Sequence, residues 1–171
     1  SCFPKDTKGL VYAANKYKVN LSVVKSVIKS NQNRINLLIN RIHKIIGTNI
    51  KNKKISLLGV TFKPNTDDMR DSTSLKIIPY LCKRGAIVNY YDPSGKKNEF
   101  KNIKNCFYQN NLSNNCKNTD LIILLTEWDE FKTIDFKRIV KTKNFKIYDL
   151  RNLYNPIEMK RKKIKYFSVG R

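Results

Sequence analysis

The segment Asp120-Leu-Ile-Ile-Leu-Leu125 constrains the fold more than any other part of the chain. Its apolar residues run consecutively, so a strand formed here must be covered on both faces. That is what a central strand of a parallel sheet looks like. Four further segments read as strands: Ile55-Ser-Leu-Leu-Gly-Val60, Ile87-Val-Asn-Tyr-Tyr91, Phe145-Lys-Ile-Tyr-Asp149 and Ile164-Lys-Tyr-Phe-Ser-Val169. Helix-length segments separate them. Residues 73–84 place Leu75, Ile78 and Leu81 on one face, with Gly85 closing the helix and Pro79 marking a kink or a late start. Residues 112–118 read as a short helix, and 129–140 as one or two helical turns. Strands alternating with helices imply βαβ units, a parallel sheet and right-handed crossovers.

The first part of the chain reads differently. From about Pro4 to Gly47 the spacing is helical. Leu10, Val11, Ala14 and Tyr17 form one set, and Val24, Ile28, Ile35, Leu38, Ile42 and Ile45 form an apolar stripe on a second helix, Ser22 to Ile46. Gly47 suits its C-cap. The expected fold class is α/β: a helical segment over 1–50, then a parallel sheet with flanking helices over 51–171. The stripe needs cover, which makes a homodimer the expected assembly.

With 171 residues the chain is sized for one domain with an attached helical piece. Its longest apolar stretch, Leu121 to Leu125, is far short of the ~20 residues that cross a bilayer. No basic-then-apolar leader pattern opens it, so no membrane partner is expected and a cytoplasmic address is the default. Cysteines stand at 2, 82, 106 and 116, without a CxxC pair, and the lone histidine is His43. A zinc site is therefore a poor reading, and free thiols are expected. The net charge is +22, carried by 27 Lys and only 8 Arg spread along the chain. Base and phosphate readout favours Arg. Drift toward Lys, Asn and Ile with a solvated surface is the preferred reading over a nucleic-acid partner, whose best feature is Lys160-Arg-Lys-Lys163.

In open parallel sheets ligands bind beyond the C-terminal strand ends. Three loops lie there. Thr61 to Ser72 is dense in charge, with Lys63 and Arg70 available to an anion and Asp71 or Ser72 as caps of the next helix, whose free N–H groups would add to the site. A surface network among Asp67, Asp68 and Arg70 is the plain alternative. Tyr91-Asp-Pro-Ser94 reads as an ordinary turn. Arg151, in Asp149-Leu-Arg-Asn152, reads as a ligand contact or a surface ion pair. Before the first helix, Cys2 would feel the positive helix end and Lys5, both of which favour a thiolate. Asp6 is a candidate base or the cap of that helix.

Together these strings resemble the UDP-glucose 6-dehydrogenase and UDP-N-acetylmannosamine dehydrogenase family. The matches are Ser1-Cys-Phe-Pro-Lys-Asp6, Leu58-Gly-Val-Thr-Phe-Lys-Pro-Asn-Thr-Asp-Asp-Met-Arg70, Tyr91-Asp-Pro93, Leu125-Thr-Glu-Trp-Asp-Glu-Phe131 and Asp149-Leu-Arg-Asn152. They keep the family's order and cover nearly the whole chain, and the resemblance makes 1–50 the catalytic-cysteine loop with the linking, dimerising helices and 51–171 a Rossmann-like UDP-sugar-binding α/β domain. The resemblance implies oxidation of the C6 alcohol of a UDP-sugar to a carboxylate with two NAD, through a thiohemiacetal and a thioester on Cys2, with Asp6 supporting the water or the cysteine. It implies cofactor contacts from Lys5 and Arg70, and UDP-sugar contacts from Phe62, Lys63 and Arg151. No Gly-x-Gly-x-x-Gly occurs here, and the family's lysine, asparagine and glutamate upstream of the cysteine lie outside the chain. The expectation is a truncated product, a partial sequence or half of a split enzyme, inactive without a separate N-terminal NAD-binding half. A UDP-sugar-binding module without catalysis is the alternative.

Overall fold

The computed structural model describes residues 2–170, with side chains from Pro4 to Gly170. It divides into two compact units, Ser1–Arg41 and Ile42–Arg171.

The first unit holds α1 (Cys2–Lys16) and most of α2 (Ser22–Ile46). Helix α1 starts earlier than its apolar spacing suggests, because Pro4 is tolerated in a first turn where its missing N–H has no partner to lose. Asp6 therefore lies inside the helix and does not cap it, and Cys2 is the first helical residue instead of preceding the helix. Lys18, with φ of 56°, turns the chain out of α1, and Val19 N–H closes the end on Ala14 O at 2.9 Å. On α2 the stripe residues Val24, Ile28 and Ile35 are half-buried. Leu10, Tyr12, Tyr17, Val23 and Val27 are exposed.

In the second unit the last turn of α2 buries Ile42 and Ile45, and Gly47, with φ of 101°, caps it by donating to His43 O at 2.8 Å. Six parallel strands follow: β1 (Lys54–Leu58), β2 (Ile87–Tyr91), β3 (Cys106–Tyr108), β4 (Leu121–Leu124), β5 (Lys146–Asp149) and β6 (Lys165–Ser168), in the order β3-β2-β1-β4-β5-β6. The register pairs Leu58 with both Tyr91 and Leu124, and Leu124 with Asp149, so these strand ends lie level. Helices α3 (Ser74–Lys83), α4 (Leu112–Cys116), α5 (Phe136–Ile139) and α6 (Pro156–Arg161) form the crossovers, with a 3-10 turn over Asp129–Thr133. Pro79 is accommodated within an unbroken α3.

All four residues of β4 are buried, as a doubly covered strand requires. On one side Leu58, Ile122, Leu124, Phe131, Phe136, Ile147 and Met159 belong to one apolar cluster. α3 buries Ile77, Ile78 and Leu81. The run 160–163 is exposed at the end of α6, a solvated helix end. Among the described residues no helix is long and apolar enough to cross a membrane.

Candidate functional site

The chain leaves β1 for β2 and β3 on one side, then returns to β4 on the other. The two crossovers flanking β1 and β4 diverge, and this leaves a crevice at their C-terminal ends, where doubly wound sheets bind ligands. Gly59 opens the crevice. Its φ is +71°, and a Cβ there would lie 2.7 Å from the Thr126 Cβ and 2.8 Å from the Thr126 carbonyl oxygen. Only glycine allows the β1 exit to pass this close to the β4 exit. Thr126 binds the two exits together by donating from Oγ1 to Thr61 O at 2.6 Å.

Asp92, at the β2 exit, organises the same corner. It is buried, and its Oδ2 accepts from Val60 N at 2.6 Å, Thr61 N at 3.2 Å and Thr61 Oγ1 at 3.3 Å. Its Oδ1 accepts from Ser94 N at 3.0 Å and Ser94 Oγ at 2.5 Å. The Asp-Pro turn is thus the bracket that fixes the direction in which the 61–72 loop leaves the sheet. It is thus more than the ordinary turn that Tyr91-Asp-Pro-Ser94 suggests as sequence. Its signal was present, since an Asx side chain at a strand end is suited to capturing backbone N–H groups.

The loop then folds back on itself. Phe62 N–H donates to Asp68 O at 2.9 Å and Thr61 Oγ1 to Lys63 O at 3.2 Å, which leaves Phe62 half-buried and Lys63 exposed. Arg70 sits on the same loop. Its Nε and Nη2 meet Asp68 Oδ1 and Oδ2 at 2.9 and 2.8 Å, a side-on pair in solvent. That hydrogen bonding holds the Asp68 carboxyl well below the usual carboxylate range. The plain alternative of a surface pair is thus real for Arg70 and Asp68.

The expected anion site at the start of α3 is not formed. Ser72 Oγ accepts from Ser74 N at 3.2 Å, and Ser72 O and Thr73 O accept from Leu75 N and Lys76 N at 3.2 Å each. The first N–H groups are satisfied within the turn. Both Ser72 and Ser74 hydroxyls donate to Val60 O, at 2.6 and 2.5 Å, and so serve the β1 exit. Asp71 is not a cap either; its φ of 57° turns the chain, and Asp71 is exposed.

Across the crevice, Arg151 follows β5. Its Nη2 donates to Glu127 Oε1 at 2.7 Å and its Nε to Glu127 Oε2. The guanidinium keeps the Glu127 carboxyl below its ordinary value. Asp149 anchors the turn beneath, accepting from Arg151 N at 2.9 Å, Leu153 N at 2.7 Å and Tyr166 Oη at 2.8 Å. At the β2 exit, burial and then the Glu130 carboxylate push the Tyr91 phenol up to about 12. The second unit therefore gathers Phe62, Lys63, Arg70 and Arg151 on the loops at its C-terminal strand ends. Gly59, Asp92, Thr126 and Glu127 shape those loops and were not singled out from sequence.

In the first unit Lys5 Nζ and Asp6 Oδ1 pair at 3.4 Å, both exposed on α1. Adjacent helical residues in solvent gain little from such a contact. The side chain of Cys2 lies outside the described residues.

The chain is similar to known proteins in sequence and in fold. The description "UDP-glucose/GDP-mannose dehydrogenase family, UDP binding domain" matches residues 56–156. A UDP-glucose 6-dehydrogenase of Rhizobium meliloti (strain 1021) is 37% identical over 172 residues, covering 100% of this chain and 39% of the relative. A UDP-glucose 6-dehydrogenase of Bacillus subtilis, YwqF, is 34% identical over 175 residues, again with 39% of the relative covered. The chain thus spans about two fifths of the length of the curated relatives it matches. Among solved structures, a UDP-glucose dehydrogenase from Pyrobaculum islandicum aligns with a TM-score of 0.80 at 22% identity, covering 98% of this chain and 36% of that one. A GDP-mannose dehydrogenase ternary complex from Pseudomonas aeruginosa aligns with a TM-score of 0.72 at 20% identity, covering 98% and 38%. These last two likenesses are of fold.

Proposed function

The chain belongs to the UDP-glucose/GDP-mannose dehydrogenase family, and from that premise we propose that it is the UDP-sugar-binding part of a nucleotide-sugar 6-dehydrogenase. The observation that carries this reading is the crevice at the β1/β4 switch point. There Lys63 stands exposed beside a half-buried Phe62, and Arg151 stands on the facing loop with its guanidinium held by Glu127. A flat aromatic and two cations at one sheet end suit a ligand with a ring and a diphosphate. The chain's positive charge, +22, adds long-range attraction for such an anion.

For the reaction, the proposed chemistry on this chain centres on Cys2. A thiolate adds to the C6 aldehyde carbon, the carbonyl oxygen takes a proton, and a thiohemiacetal results. At the acyl level the same sulfur holds a thioester, which water cleaves to a carboxylate and the free thiol. Asp6 holds the water or the cysteine. NAD, when bound, supplies the hydride acceptor for each of the two oxidations. The residues present fit such an anionic cofactor in two places. The Arg70 side chain is 82% exposed and paired side-on with Asp68, and Lys5 is exposed on α1. No Gly-x-Gly-x-x-Gly occurs in these 171 residues, so the main pyrophosphate cradle is assigned to residues outside them. UDP-sugar binding without NADH formation is the expected behaviour of this chain alone. The exposed apolar residues Leu10, Tyr12, Tyr17, Val23 and Val27 of the first unit support a homodimer through that unit.

Calorimetric titration with UDP tests the proposal. Saturable binding is expected, weakened at least tenfold by Lys63→Ala. Equal affinity in the two proteins, or no binding by the parent chain, contradicts it. Duplex DNA binding with a steep salt dependence would favour the nucleic-acid reading instead.

A further inference from the structure

Of the lysines among the described residues, Lys97 alone is buried, with 5% of its surface exposed. A lysine head normally reaches solvent, and a buried ammonium persists only where polar atoms replace its water. Here the turn after β2 replaces it. Lys97 Nζ donates to Ser94 Oγ at 2.6 Å and to Ser94 O at 3.3 Å. The Lys97 backbone N–H donates to Tyr90 Oη at 3.0 Å. Tyr90 is itself buried and packs edge-on against Phe100, at 5.2 Å between ring centroids. Phe100 N–H then closes the 3-10 turn Asn98–Phe100 onto Lys97 O at 3.3 Å. Lys97 is thus fixed by β2 on one side and by the following turn on the other.

The ammonium makes no direct ion pair with a carboxylate among the described residues. Its charge reaches one through Ser94. The Ser94 hydroxyl accepts from Lys97 Nζ and donates to Asp92 Oδ1 at 2.5 Å. A hydroxyl can do both at once, having one proton and two lone pairs. The other Asp92 oxygen accepts from Val60 N, Thr61 N and Thr61 Oγ1. A continuous series of bonds therefore runs from a buried cation, through Ser94 and a buried anion, to the start of the 61–72 loop. Bonds aligned between opposite charges in a dry setting strengthen one another. A buried carboxylate facing neutral donors alone lacks a compensating charge, and Lys97 supplies it. Packing of the lysine stem by itself would need neither the ammonium nor Ser94.

We propose that Lys97 is a positioning residue for the nucleotide-sugar crevice: its buried ammonium, relayed through Ser94, balances the Asp92 carboxylate and so fixes the loop that presents Phe62 and Lys63. Lys97 touches no ligand and acts only through Ser94 and Asp92. Without its charge the Asp92 carboxylate stays buried but uncompensated, and the Val60 and Thr61 amides lose a firm acceptor. The loop exit then loosens at the point where the chain turns from β1 into Phe62. The consequence for ligand binding rests on the UDP-sugar reading; the link from Lys97 to the Val60 and Thr61 amides does not.

The test compares the full chain with Lys97→Met, Lys97→Arg and Ser94→Ala, each checked for folding by circular dichroism. Methionine keeps an unbranched stem without the charge, and arginine keeps the charge. Without ligand, the amide resonances of Val60 and Thr61 should move in Lys97→Met and Ser94→Ala. They should stay near their parent positions in Lys97→Arg, and Ile147 in β5 should not move in any variant. With UDP, Lys97→Met and Ser94→Ala should bind about three- to tenfold more weakly than the parent, and Lys97→Arg within about twofold of it. Lys97→Met with the parent's Val60 and Thr61 resonances would overturn the proposal, as would Lys97→Arg behaving like Lys97→Met. If Lys97→Met does not fold, Ser94→Ala carries the comparison, and unmoved Val60 and Thr61 amides there overturn it equally. The amide readout needs no ligand, so it decides the inference even where the parent chain binds no UDP.

Discussion

Replacing Asp92 with alanine tests the idea that a buried carboxylate builds the crevice. Five donors meet its two oxygens, from Val60 N, Thr61 N, Thr61 Oγ1, Ser94 N and Ser94 Oγ. Removal leaves the Val60 and Thr61 amides facing a void. A buried donor left without an acceptor costs about 1–3 kcal/mol. Two such amides give about 3 kcal/mol, before any loss at Ser94. For a domain of this size, about 3 kcal/mol lowers Tm by roughly 6–12 °C. Asp92→Asn should recover little, because its amide nitrogen must face donors on one side or the other. Urea denaturation followed by circular dichroism gives the stability, and UDP titration gives the site. The expected outcome is a stability loss of about 3 kcal/mol with an unchanged urea slope and weakened UDP binding in the fraction that remains folded. A loss under about 1 kcal/mol, within the range of an ordinary surface substitution, would refute the bracket role.

Other outcomes follow from the same geometry. Gly59→Ala places a Cβ 2.7 Å from Thr126 Cβ at a φ of +71°; we expect a loss of at least about 2 kcal/mol in urea denaturation, combining left-handed strain with the clash. Phe131→Ala empties a fully buried position that packs against Tyr91 at 6.2 Å between ring centroids; the expected loss is about 3–5 kcal/mol by the same assay. Glu127→Gln removes a carboxylate whose folded pKa lies below its unfolded one. Its stabilisation is present above the unfolded value of about 4.3 and fades as pH falls through the lower folded value. The variant should be less stable than the parent at pH 7, and the gap should narrow as pH falls below about 4. Because the pair is partly open to solvent, the difference at pH 7 should stay under about 1 kcal/mol.

The legible parts of the sequence were those where hydrophobic pattern alone decides structure. β4 is buried along its whole length, and the α2 spacing predicts Ser22–Ile46, as observed. β3 was not legible. It is three residues long, Phe107 is 50% exposed, and it gains its strand character from pairing with β2 instead of from its own pattern. α6 showed only its basic end in the sequence reading, although Asn155 caps it at Ile157 N, 2.8 Å, with Pro156 in the first turn. Those cap signals were present and unread. The candidate site divides in the same way. Lys63, Arg70 and Arg151 are visible as charged residues in loops after strands. What holds them is not visible, because Asp92 to Val60, Thr126 to Thr61 and Glu127 to Arg151 are contacts between loops that only the sheet order brings together. The α3 start is not an anion site for a related reason: the Ser72 hydroxyl and carbonyl accept from the Ser74 and Leu75 N–H groups that a cap pattern read alone leaves free.

The central claim is that the ligand crevice lies between the β1 and β4 exits. Amide chemical-shift mapping of the chain during titration with UDP tests this most directly. Shifts concentrated at Gly59, residues 61–63, Thr126, Glu127 and Arg151 are the predicted result. Shifts concentrated instead in the groove of about 380 Å³ lined by Lys132, Phe136, Tyr154, Glu158 and Lys162 would contradict it, as would a titration in which none of the crevice residues moves.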